Sequence, residues 1–130
     1  MALHQFPEGL LKLLGFSHVL EPDGEWVRMV FDGRDEHAHS NGTIIQGGIL
    51  TAWMDHAMAR AVIARDPTSS IASLEIKASF LARVPPGPSI VTARGVKWGR
   101  KIAFLEATVQ DEKGQVLVTC SSTGMLVSAG

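Results

Sequence analysis

From Gln46 to about Arg65 the chain reads Gln-Gly-Gly-Ile-Leu-Thr-Ala-Trp-Met-Asp-His-Ala-Met-Ala-Arg-Ala-Val-Ile-Ala-Arg, and no proline follows until Pro67. Ala, Leu and Met dominate, so the stretch is predicted to be one helix, on the order of 28 Å long at ~1.5 Å per residue. A rod of that length crosses a small domain, and the remaining elements must be arranged around it. At ~100° per residue, Thr51, Asp55, Met58 and Val62 share a stripe, while Ile49, Trp53, Arg60 and Ile63 lie on another side. A helix apolar nearly all round is buried nearly all round. Asp55 is the exception in its middle. Burying an isolated carboxylate is too costly to tolerate by accident, so Asp55 is paired, or at a seam between subunits, or functional.

The start of the helix carries a second feature. Gly47 and Gly48 have no side chain where the first helical N–H groups lack internal partners, so a ligand oxygen can approach the backbone closely. The partial positive charge there favours an anion, or a carbonyl becoming one. The same two glycines also serve simply to turn the chain into the helix.

At 130 residues and 45% hydrophobic, the chain is expected to form one domain, residues 1–130, with material for a core. A net charge of −1 gives no electrostatic reason to expect nucleic acid or an acidic membrane surface as partner. The single cysteine, Cys120, excludes an internal disulfide framework and suits a reducing compartment. It lies in an alternating apolar stretch and is read as a small core residue rather than a nucleophile. There is no signal-peptide pattern at the start, and no uncharged apolar run approaches ~18 residues. The expected location is the cytoplasm.

Pro7 to Leu14 suggests a short amphipathic helix ended by Gly15, lying as a lid on the domain. Ser17 to Glu21 and Glu25 to Phe31 flank Pro22-Asp23-Gly24 and predict a hairpin. Asp32 to Thr43 is polar and aperiodic, a loop that delivers the chain to the central helix. Asp35, His37 and His39 within it match no closed zinc set, so no metal is expected. Asn41 reads by itself as a loop residue bonding its own backbone.

After Pro67 the pattern alternates. Leu74, Ile76, Ala78 and Phe80 are predicted to face the helix, with Ser73, Glu75, Lys77 and Ser79 facing away. Pro85-Pro86-Gly87-Pro88 breaks the run. Ile90 to Trp98, Ile102 to Val109 and Val116 to Val127 are predicted strands, joined by Gly99-Arg100 and by a turn at Asp111 to Gly114. An antiparallel sheet curled around one central helix is the compact way to cover that helix.

Taken together, Asn41, Gly42, Gln46-Gly47-Gly48 and Asp55, in this order and spacing, resemble the signature of the hotdog-fold acyl-CoA thioesterases of the PaaI-like type. Ser73-Leu74-Glu75-Ile76 with Phe80-Leu81 resembles that family's next strand. Gly99-Arg100, Phe104-Leu105-Glu106-Ala107, Asp111 and Gly114 resemble its closing strands, so the likeness spans roughly residues 17 to 127.

The resemblance implies an α+β hotdog fold and hydrolysis of an acyl-CoA to free acid and coenzyme A. It implies a homodimer with shared active sites, or a dimer of dimers, and no cofactor. The Gly47 backbone N–H would hold the thioester carbonyl oxygen, with Asn41 assisting. Asp55 of the other subunit would act as nucleophile or as general base on a water that Ser73 orients. Gln46 stands where many members have His, and its amide still hydrogen-bonds. Gly48 would leave room for substrate, and Arg83, Arg100 and Lys101 would meet the phosphates of coenzyme A. His56 follows Asp55 directly but points about 100° away from it, so it is expected to pack elsewhere, near Arg60.

Two other readings compete. One is a hotdog domain that binds acyl-CoA without turnover, against which the presence of Asp55 argues. The other is a hotdog dehydratase or hydratase, whose paired histidine and acid motif is not found here.

Overall fold

The computed structural model describes residues 7–128; the ends of the expected 1–130 domain lie outside the described residues. The predicted central helix is α2, Gly47–Arg65. It buries Leu50, Trp53, Met54, Ala57, Met58, Ala61 and Val62, in keeping with an apolar surface that leaves no single wet face. Six strands form one antiparallel sheet around it. These are β1 (Phe16–Asp23), β2 (Trp26–Gly33), β5 (Ser69–Phe80), β6 (Gly87–Trp98), β7 (Ile102–Gln110) and β8 (Val116–Ser128), in the order β1-β2-β6-β7-β8-β5. The curled sheet, the long helix and a short N-terminal helix make this a hotdog fold.

The inner face of the sheet is built by alternation. Ala103, Leu105, Ala107 and Val109 of β7 and Val118 and Cys120 of β8 are buried, as are Val91 and Ala93 of β6 and Met29 and Phe31 of β2. Cys120 is thus a core residue, its sulfur 3.9 Å from that of Met58. Burial pushes its thiol up to about 11, and the carboxylates of Asp55 and Glu106 add to the rise. A thiol held so far above its ordinary range is not a nucleophile.

The short helix α1, Glu8–Leu14, ends at Gly15 in the left-handed region (φ 81°). An added Cβ there would stand 2.4 Å from the Asp32 carbonyl oxygen, so only glycine fits. The last carbonyls of α1 are captured by donors from elsewhere in the chain. Leu13 O accepts from His37 Nε2 at 2.7 Å and from Arg34 Nη2 at 2.9 Å, and Leu14 O accepts from Trp53 Nε1 at 2.7 Å. This fixes the N-terminal helix to α2 and gives His37 a structural role. Among the described residues, no group of three or more His, Cys, Asp or Glu is arranged to hold a metal.

The segment expected to be a plain loop holds more structure. A 3-10 turn, Asp35–His37, is followed by two short paired strands, β3 (Ala38–His39) and β4 (Ile44–Ile45). Ser40, Asn41 and Gly42 form the turn between them, all with positive φ. Pairs this short have no readable period.

The strand after the helix departs from simple alternation. The β5–β8 register shifts between Ser73 and Glu75, so Leu74 is the extra residue of a bulge. Before it, Ser73 faces the helix; after it, Ile76 and Ala78 pack on the core and Leu74 is left outside, 55% exposed. The predicted facing of Ser73 and Leu74 is therefore reversed, because one extra residue moves the chain to the opposite phase.

Candidate active site

Two separate places within one chain carry the features expected of a site. The first is the start of α2. Gln46 is the N-cap: its side-chain Oε1 accepts the Ile49 N–H at 3.1 Å, which satisfies one of the open donors of the first turn. Neither Gly47 N–H nor Gly48 N–H donates to any acceptor among the described residues. The glycines differ in what they allow. A Cβ on Gly48 would lie 2.7 Å from Gln46 Oε1, so the bare Gly48 makes room for the cap. A Cβ on Gly47 would lie 3.1 Å from Cζ of Phe80, so the Phe80 ring closes over Gly47 from β5.

Beside Gly47 is a cleft of about 500 Å³. Ile45 and Leu50 contribute buried core surface to it, and Ile44, Phe80 and Leu81 more exposed apolar surface. His39 and Arg83 are its ionisable members, both exposed. Asn41 does not line this cleft; it sits exposed in the left-handed turn before β4, with φ 59°. Neither His39 nor Phe80 was expected at the site. Phe80 enters the resemblance only as part of a strand with Leu81, and His39 stands only as a member of a polar loop, so the sequence places neither beside Gly47.

The second place is the middle of α2. Asp55 is half-buried, and Ser73 Oγ donates to its Oδ1 at 2.8 Å. This contact is a product of the β5 bulge, which turns Ser73 toward the helix. One carboxylate oxygen is therefore held by the serine, and Oδ2 has no partner among the described residues. His56, the next residue, points away. Its ring meets Phe31 edge-on at 6.2 Å and is buried, and Arg60 one turn on stands over the Phe16 ring. Burial, then the Arg60 charge, pushes its pKa down to about 4. It is neutral near pH 7 and belongs to the core rather than to a dyad with Asp55.

Eight residues of helix separate Gly47 from Asp55, a rise of roughly 12 Å. A single thioester carbonyl cannot touch both within one chain. The remaining expected residues lie farther on. Arg100 and Lys101, exposed in the connection between β6 and β7, line a depression of about 530 Å³ near the C-terminal end of α2. Arg65 and Trp98 line it too, with the guanidinium 4.4 Å from the ring centroid. Arg83 and the Arg100-Lys101 pair are thus at opposite ends of the helix.

A curled sheet wrapped around one long helix is a fold shared with several solved structures. One is a thioesterase from Haemophilus influenzae, 16% identical, TM-score 0.83, covering 95% of this chain and 85% of that one. A phenylacetic acid degradation-related protein from Ralstonia eutropha is 23% identical, TM-score 0.81, with 94% and 92% covered. The PaaI protein from the phenylacetic acid degradation operon of E. coli is 14% identical, TM-score 0.81, with 94% and 86% covered. At these identities the likeness is one of fold. No curated protein matches the sequence. The family is given by the sequence itself: residues 35–125 match the model described as acyl-CoA thioesterase N-terminal domain, and the chain belongs to that family.

Proposed function

We propose that the chain hydrolyses an acyl-CoA thioester at a site completed by a second copy of itself. The observation that carries this reading is the Ser73–Asp55 hydrogen bond, which holds a half-buried carboxylate with one oxygen left over. The open amides of Gly47 and Gly48 supply the complementary electrophilic site. Because one helix holds these two features roughly 12 Å apart, Gly47 of one copy works with Asp55 of the other. The long edge strand β5, 12 residues with one side unpaired among the described residues, is the natural place for the copies to join.

In the reaction the thioester oxygen accepts from the Gly47 N–H, and the negative charge that develops on it is stabilised by the helix start. Asp55 Oδ2 either attacks the carbonyl carbon, giving an anhydride that water then cleaves, or takes a proton from a water that attacks instead. In both routes the carbon–sulfur bond breaks and coenzyme A leaves as the thiolate, which takes its proton from water in the first route and from the Asp55 carboxylic acid in the second. Ser73 fixes the plane of the carboxylate and, in the second route, the water. Gln46 and Gly48 preserve the open helix start, and Asn41 approaches the carbonyl side only if the turn at Ser40 to Gly42 closes over the substrate. Arg83 at one end and Arg100 with Lys101 at the other supply the cations for the coenzyme A phosphates. Among the described residues no helix is long and apolar enough to cross a membrane; the reading places the enzyme in the cytoplasm.

The test is release of free coenzyme A from a panel of acyl-CoAs, followed with a thiol reagent, for the native protein and Asp55→Asn. Asp55→Asn is expected to lose roughly 10²- to 10⁴-fold in kcat, with KM little changed. Undiminished turnover in that variant, or tight acyl-CoA binding without release by the native protein, refutes the reading.

A further inference from the structure

The free side of β5 carries a charge pattern that the proposed chemistry does not use. In the middle of the strand the chain reads Glu75-Ile76-Lys77. Ile76 turns inward and packs against the core, so by alternation Glu75 and Lys77 stand together on the outer face, both exposed. Thr123 Oγ1 donates to Glu75 Oε1 at 2.9 Å and steadies the carboxylate from the β8 side. Among the described residues neither Glu75 nor Lys77 takes part in an ion pair.

Charges on an edge strand ordinarily keep other strands away. Here two of opposite sign flank a single residue, and they favour one pairing over its neighbours. Two copies of β5 paired antiparallel about Ile76 set Glu75 of each copy opposite the partner's Lys77. Centring the pair on Glu75 or on Lys77 puts like charge on like, and so does parallel pairing in register. Directly opposite residues of opposite charge stabilise a strand pair, and like charges destabilise it.

The geometry of the site leads to the same residue by another route. A two-fold axis that brings Gly47 of each copy to Asp55 of the other lies level with the midpoint between them on α2, which is Thr51. Strand β5 runs back alongside α2, with its Phe80 ring against Gly47 and its Ser73 hydroxyl on Asp55. Midway between Ser73 and Phe80 is the peptide joining Ile76 to Lys77. On α2 the residues at that level, Gly48, Thr51 and Ala52, are small and at least part-exposed, so no bulky side chain holds two helices apart there.

We infer that two copies of the chain join edge to edge along β5, antiparallel, with the two Ile76 residues facing each other across the two-fold axis and Glu75 of each copy paired with the partner's Lys77. The inference rests on the proposed shared site and goes beyond it: it fixes the register of the contact and names the residues that choose the partner.

The experiment exchanges the charges and reads mass, which does not depend on turnover. Glu75→Lys and Lys77→Glu each turn the two attractive contacts of the pair into two repulsive ones, and both residues are exposed, so the fold of the single chain is kept. Each variant alone is expected to dimerise about tenfold more weakly than the native chain in low-salt sedimentation, the deficit shrinking as salt rises. The double variant Glu75→Lys/Lys77→Glu restores both contacts with their signs reversed and is expected to dimerise like the native chain. Mixing the two single variants is the sharper measurement, because a mixed pair has lysine opposite glutamate at both contacts. With each like pair weakened about tenfold relative to the mixed one, about nine dimers in ten are mixed by native mass spectrometry, against about one half for random exchange. A native chain that stays monomeric, random exchange between the variants, or a double variant no better than the singles overturns the inference. Preferential mixing without release of coenzyme A leaves this interface standing and removes the proposed hydrolysis alone. Release of coenzyme A by a native dimer whose variants mix at random removes the register alone.

Discussion

Gly47 allows the backbone donor to be removed almost alone. It is the first residue of α2, and its N–H donates to no acceptor among the described residues, so replacing it with proline forfeits no hydrogen bond. Proline is favoured at this position, because its fixed φ suits the first helical turn. The preceding residue must be extended, and Gln46 is, at φ −64° and ψ 137°. The steric cost of the Cβ is shared with any side chain: a Cβ at 3.1 Å from Phe80 Cζ requires the ring to shift by a few tenths of an ångström. Gly47→Ala carries that same Cβ and keeps the N–H, so the comparison of proline with alanine isolates the donor. Loss of one oxyanion donor costs about 2.7 to 4 kcal/mol of transition-state stabilisation, or 10²- to 10³-fold in kcat. Steady-state kinetics of coenzyme A release, with both variants melting within a few degrees of each other, is the measurement. Proline and alanine variants with equal kcat would refute the role of this amide.

Other predictions follow from the same contacts. Ser73→Ala removes a hydrogen bond to a carboxylate and is expected to lower kcat by roughly tenfold with KM held, while Ser73→Thr restores most of it; an unchanged kcat in the alanine variant would remove Ser73 from the mechanism. His56 makes the fold acid-labile. Its folded pKa of about 4 lies below the ordinary 6.5, so the unfolded chain takes the proton first, and stability present above pH 6.5 is lost as pH falls toward 4. Urea unfolding should show a loss of about 2 kcal/mol between pH 7 and pH 5 that a His56→Asn variant lacks; equal pH slopes in the two proteins would count against it.

The sequence revealed the helix and most of the strands because each is long enough to show its period. Asp55 stood out as a charge in an apolar rod, and the paired glycines as an unprotected helix start. The bulge at Leu74 was not legible. Alternation assumes that every residue advances the pleat, and one extra residue reverses the phase, which is how Ser73 reaches Asp55. Nor was the cleft beside Gly47. Phe80 meets that residue across 33 positions of chain, a contact that only the folded sheet creates. The turn holding Asn41 adopts left-handed geometry that its Ser-Asn-Gly residues tolerate, but two-residue strands on either side leave no pattern to announce it.

The buried cysteine has a practical consequence at the bench. With its pKa raised to about 11, Cys120 is ionised in roughly one molecule in a thousand at pH 8. A colorimetric reagent that consumes thiolates therefore counts liberated coenzyme A against a silent protein background. The same silence lets a cysteine placed anywhere on the surface be labelled as though the native chain contained none.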